Sequence, residues 1–121
     1  MQIDRIDHLN LTVADIDRSI EFYERVLGMR SERMGEGRAA ILFGQQKIHL
    51  DQAGGTGMAG EKRQPAHICF ITDTPAAEIA AHVERCGVPI RMQGPRAGAT
   101  GTIQSVYIDD PDNNSIEIAT Y

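Results

Sequence analysis

The chain has no tryptophan, and three phenylalanines and three tyrosines bring aromatics to only 5% of its 121 residues. That composition does not build a surface for stacking bases. Cations are also short. Twelve Lys and Arg against 17 Asp and Glu leave a net charge of −5 and a pI near 5.3. Phosphate affinity needs clustered cations, so nucleic acid is not an expected partner. No apolar run is long enough to span a bilayer, so no membrane partner is expected either. The two cysteines, Cys69 and Cys86, form no CxxC and no disulfide framework. Met1-Gln2-Ile3-Asp4-Arg5 has no signal-peptide pattern. The simplest address is cytoplasmic, with both thiols reduced.

What remains is an ordinary globular composition, 41% apolar. It suits one compact domain or two very small fused modules. The stretch Asp109-Asp110-Pro111-Asp112-Asn113-Asn114 reads as a tight turn, with Pro111 presetting φ and Asn113 tolerating the left-handed region. The strand after it alternates Ile116, Glu117, Ile118. A carboxylate held mid-strand needs a partner if its face is buried.

Residues 5–13 read as a first strand, with His8 and Asn10 on one face and Leu9, Leu11 and Val13 on the other. Asp15 is a plausible N-cap for a helix carrying Ile16, Ile20, Tyr23 and Leu27 on one side, stopped by Gly28. Strands near 29–34, 38–43 and 47–52 follow. The last sets His49 and Asp51 opposite Ile48 and Leu50.

Residues 52–64, with four glycines, read as a flexible connector. The order then repeats. A strand over 66–72 places His67 beside Cys69. Thr74-Pro75 predicts a capped helix start, Ile79, Val83 and Cys86 a buried stripe, and Gly87 a stop. A strand near 88–92, a glycine-rich loop over 94–102, and strands 103–108 and 115–120 complete the pattern. The expected organisation is a first module over 1–52, a linker over 53–64 and a second module over 65–121. Neither half holds enough apolar residues to bury a core alone.

The repeat equates His8 with His67, and His49 with Glu117. Four potential ligands on four strands, matched in pairs, make a divalent metal site the leading expectation, with Zn, Fe, Mn, Co or Ni suited to imidazole and carboxylate. A lone strand histidine is more often structural, so the expectation rests on the pairing. Asp51 shares the face of His49 and competes with it for the fourth place. Asn10 and Cys69 would line the cavity, although Cys69 also reads as a small buried hydrophobe. Ser105 and Tyr107 share one face of their strand and could bind a substrate oxygen. His82 and Arg18 read as solvated helix residues.

Several motifs together resemble the vicinal oxygen chelate superfamily, which includes glyoxalase I, extradiol dioxygenases, fosfomycin-resistance enzymes and bleomycin-binding proteins. They are Ile6-Asp7-His8-Leu9, Asp17-Arg18-Ser19-Ile20-Glu21-Phe22-Tyr23 with Val26-Leu27-Gly28, His67-Ile68-Cys69-Phe70, and Asp110-Pro111-Asp112-Asn113-Asn114-Ser115-Ile116-Glu117. Phe43-Gly44-Gln45-Gln46-Lys47-Ile48 and Cys69-Phe70-Ile71-Thr72-Asp73-Thr74-Pro75 look most like the glyoxalase domain-containing subgroup. The resemblance implies an α+β fold of two βαβββ modules forming an open mixed β-barrel around one divalent ion per chain. It implies His8, His67 and Glu117 as ligands, with His49 at the fourth position.

Two departures stand out. Asn113 replaces the usual glycine of the turn. His49 stands where glyoxalase I has a glutamate.

The expected function is a metal-dependent, glyoxalase-like lyase or isomerase that chelates two adjacent oxygens of a small substrate. Glu117 or Asp51 would move the proton, with Tyr107 beside them. The alternatives are a non-haem iron dioxygenase and a metal-free drug-binding resistance protein. A homodimer is expected, and the loop over 94–102 is expected to be a mobile cover.

Overall fold

A computed structural model of the chain describes residues 1–54 and 65–121. The chain divides into two compact units, Met1–Gln64 and Pro65–Tyr121. The linker expected over 53–64 lies almost wholly outside the described residues.

The first unit runs β1 (His8–Val13), α1 (Ile16–Leu27), β2 (Arg30–Arg33), β3 (Arg38–Phe43) and β4 (Gln46–Gln52). Its sheet has the order β1-β4-β3-β2, with β1 parallel to β4 and the rest antiparallel. Asp15 caps α1 as expected, its side chain accepting from the Arg18 N–H at 3.0 Å. Gly28 ends the helix at φ 64°, where the N–H of Met29 reaches the carbonyl of Tyr23. Ile16, Ile20, Tyr23 and Val26 are buried on α1, which packs on β3 and β4. Ile41, Ile48 and Leu50 are fully buried beneath it. Gln52 ties the end of β4 to the start of α1 by accepting from the Ile16 N–H and donating to the Ala14 carbonyl.

The second unit repeats this order: β5 (His67–Ile71), α2 (Ala76–Arg85), β6 (Met92–Ala97), β7 (Thr102–Asp109) and β8 (Ser115–Thr120). Its sheet reads β5-β8-β7-β6, again with one parallel pair, β5 with β8. Ile79 and Val83 of α2 are buried, and the helix packs on β7 and β8, where Val106, Ile108 and Ile116 are fully buried. The α+β class and the two βαβββ modules are therefore present.

Four local expectations need correction. The first strand begins at His8, because residues 1–7 have no ladder partner among the described residues. Pro75, not Thr74, occupies the N-cap of α2, and no side chain caps it. The strand expected near 88–92 is instead Met92–Ala97, paired antiparallel with β7. The loop expected over 94–102 therefore shrinks to residues 98–101. Gly98 serves close packing there. A Cβ on it would lie 2.8 Å from both Ile103 and the Tyr121 hydroxyl. The Tyr121 hydroxyl also accepts from the Thr100 N–H at 3.0 Å. Half of the expected loop is thus laddered with β7 and the rest packs against Tyr121.

Candidate functional site

The turn before β8 positions its carboxylate. Asp110 Oδ1 accepts from the N–H groups of Asp112 and Asn114, both at 2.9 Å, and its Oδ2 accepts from Asn114 Nδ2 at 2.8 Å. Asn113 takes φ 62°, as its left-handed reading requires. Asn114 Oδ1 then accepts from the Ala66 N–H at 2.7 Å, which locks the entry of β5 to that of β8. Parallel pairing sets Cys69 opposite Glu117, and antiparallel pairing sets Tyr107 opposite Glu117 from the other side.

Glu117 is only 5% exposed, and both of its oxygens are partnered. Ser105 Oγ donates to Oε1 at 2.5 Å, and His67 Nε2 donates to Oε2 at 3.0 Å. Burial pushes the Glu117 carboxyl up, but hydrogen bonds from Ser105, Tyr107 and His67 outweigh it and hold the group below its ordinary value. Burial and the adjacent carboxylate raise the Tyr107 hydroxyl. Cys69 is exposed rather than a buried hydrophobe, and partial desolvation and Glu117 push its thiol up to about 11. The His67 ring meets Tyr107 edge-on, centroids 5.8 Å apart. Ser105, read as able to bind a substrate oxygen, directs its hydroxyl proton at Glu117.

The first unit gathers its own candidates. His8 and His49 stack with centroids 4.8 Å apart and planes 13° from parallel. His8 Nδ1 donates to Asp7 Oδ1 at 2.7 Å, and this bond lowers the Asp7 carboxyl below its ordinary value. Asp51 lies two residues beyond His49 on the same face. Its Oδ1 accepts from Arg38 Nε at 2.7 Å and its Oδ2 from Asn10 Nδ2 at 3.1 Å. Burial raises the Asp51 carboxyl, but Arg38 and Asn10 bring it net below its ordinary value. The same guanidinium reaches His49, with Arg38 Nη2 donating to Nδ1 at 3.3 Å. Burial, then Lys47, His8 and Arg38, hold His49 below the usual imidazole value. Its Nε2 is buried and has no hydrogen-bond partner among the described residues.

Each unit thus juxtaposes the pair expected of it, His8 with His49 and His67 with Glu117. Among the described residues, no three His, Cys, Asp or Glu side chains group to hold an ion. The donor chemistry of the pairs still fits a divalent cation. With Nδ1 bonded to Asp7, neutral His8 keeps its lone pair on Nε2, the carboxylate–histidine arrangement common behind metal ligands. The proton between His67 and Glu117 is one that an ion can displace, because both atoms then present lone pairs.

Asp7 and Arg38 are the site residues that sequence reasoning missed. The signal for Arg38 was present. A two-residue turn at Gly44-Gln45 pairs Phe43 with Gln46 and therefore Arg38 with Asp51.

Comparison with known proteins bears on this geometry. The model of the family described as Glyoxalase/Bleomycin resistance protein/Dioxygenase superfamily matches residues 5–118. Virulence protein STM3117 of Salmonella typhimurium is 46% identical, across all of this chain and 87% of its own. Glyoxalase domain-containing protein RDO1 of Mycosarcoma maydis is 39% identical, across all of this chain and 70% of its own. A probable lactoylglutathione lyase of Vibrio cholerae is 31% identical, across 94% of this chain and 88% of its own. Among solved structures, an integron cassette protein from the mobile metagenome of V. cholerae is 48% identical, with a TM-score of 0.92 over 100% of this chain and 98% of that one.

Proposed function

The chain belongs to the Glyoxalase/Bleomycin resistance protein/Dioxygenase superfamily, and on that premise we propose that it is a metal-dependent, glyoxalase-like lyase or isomerase acting on a small substrate with two adjacent oxygens. His8, His67 and Glu117 would hold one divalent ion, with His49 as the fourth residue of the site. His8 and His49 would come from the same chain as Glu117 or from a second copy in a homodimer. When bound, the ion supplies Lewis-acid polarisation of the two substrate oxygens.

The observation that carries the reading is the His67–Glu117 pair at 3.0 Å on a buried, ionised carboxylate. Ser105 and Tyr107 hold that carboxylate in one orientation. Glu117 is the residue that takes a proton from carbon next to the bound oxygens and returns it. Asp51, with both oxygens engaged by Arg38 and Asn10, supports the first unit. Tyr107, beside both His67 and Glu117, orients the substrate.

Metal content by mass spectrometry tests this. The native chain should carry one ion, and Glu117→Ala or His67→Ala should lose it, while His82→Ala keeps it. Full metal content in Glu117→Ala and His67→Ala would return the site to the metal-free binding proteins of the family. Two histidines and one carboxylate also suit non-haem iron. Oxygen uptake dependent on iron would favour that chemistry over a lyase.

A further inference from the structure

The two stacked histidines of the first unit carry opposite hydrogen-bond patterns. The carboxylate of Asp7 accepts from His8 Nδ1, so His8 offers a lone pair at Nε2. His49 Nδ1 instead faces Arg38. A guanidinium has only donors and stays protonated, so Nδ1 must accept, and the proton of the neutral ring sits on Nε2. That N–H is buried with no partner among the described residues. Buried donors are rarely left so, because desolvating them without a hydrogen bond is costly.

Arg38 is not at liberty to turn away. Its Nε donates to Asp51 Oδ1 at 2.7 Å, and Asn10 holds the other Asp51 oxygen at 3.1 Å. The ladder fixes the arrangement from below, with Arg38 opposite Asp51 and Ala40 opposite His49. Ala40 is small and fully buried.

We propose that Arg38 is a positioning residue that fixes the tautomer of His49, keeps it out of the metal's ligand set and presents its Nε2–H to a substrate oxygen. Ligation through Nε2 would move the proton to Nδ1, against Arg38. At His67 no such obstacle exists, since the proton there is shared with a carboxylate. The group His49 takes is therefore an oxygen lone pair, on a carbonyl, alkoxide or carboxylate, and not a cation. A donor in that place stabilises developing negative charge on the substrate. The ligand-set part rests on the metal reading above; the tautomer does not.

The test uses the full chain with ¹⁵N-labelled histidine. There are four histidines, assigned by single substitutions. In metal-free protein, two-bond ¹H–¹⁵N spectra should show His49 protonated on Nε2 and His8 on Nδ1. Added Zn²⁺ should shift His8 and His67 and leave the pattern of His49 in place. Arg38→Met removes the donor that faces Nδ1, so His49 should lose its fixed tautomer and begin to respond to Zn²⁺, whereas Arg38→Lys should behave as the native chain. His49→Gln, which keeps an N–H donor, should retain Zn²⁺ affinity within about twofold, against the about tenfold or greater loss that follows damage to a ligand set. An Nδ1–H tautomer in the native metal-free chain, or His49 shifting with His8 and His67 on adding Zn²⁺, overturns the proposal. If Zn²⁺ moves none of the histidines, the metal reading fails while the metal-free tautomer still decides the role of Arg38.

Discussion

At the scale of the residue, the second unit's chemistry depends on how Glu117 stays ionised while buried. Its folded value lies below the ordinary 4.5. A carboxyl lowered by folding adds stability above its unfolded value, and that gain is lost as pH falls through the folded value. In metal-free protein, denaturation midpoints should therefore decline on the acid side of the ordinary glutamate range. Ser105→Ala removes the donor at 2.5 Å and leaves Oε1 short of a partner. We expect a loss of about 1–3 kcal/mol near neutrality, and a weaker acid-side decline because the Glu117 value rises toward normal. Urea titration at several pH values checks both. An unchanged acid limb in Ser105→Ala would mean that the hydroxyl does not help to hold the carboxylate ionised.

At the scale of the element, the helices and strands with strong periodicity were legible and the glycine-rich stretch was not. The α1 boundaries followed from Asp15, the apolar stripe and Gly28. The strands bearing His8, His49, His67 and Glu117 followed from alternation. The stretch after Gly87 misled because β6 has the sequence Met-Gln-Gly-Pro-Arg-Ala and no buried residue of its own. Its strand character comes from pairing with β7, which no local pattern reveals. Gly98 shows the same limit. Its glycine looks like freedom in the sequence and is a packing constraint in the fold. Gly98→Ala should destabilise by about 1–3 kcal/mol, read as a lower thermal midpoint. Asn113, at φ 62°, should accept glycine without loss, whereas Asn113→Ala should cost about 1–2 kcal/mol. Equal stability of those two variants would argue against a left-handed turn.

At the scale of the whole molecule, the internal repeat was the most informative feature. It equated His8 with His67 and His49 with Glu117, and each unit does juxtapose its pair. What the repeat could not show was the polar scaffolding behind the pairs, because matched positions change residue type: Arg38 stands where the second unit has Ser105, and Asp7 where it has Ala66. Assembly is the remaining whole-molecule expectation. Light scattering at micromolar concentration should give twice the 13.3 kDa chain mass, and a monomer there would require each site to come from one chain.

The parallel pairing of β5 with β8 also has a consequence in time. His67 precedes Glu117 by 50 residues. At ordinary rates of synthesis, a growing chain makes the histidine about 3 to 10 s before the carboxylate exists. Throughout that interval β5 has neither its ladder partner nor its acid. An unpaired strand edge is a template for other chains. The site is thus among the last parts of the unit to form, and a chain stalled before Ser115 should be markedly more prone to aggregate and to proteolysis than one that has reached Thr120.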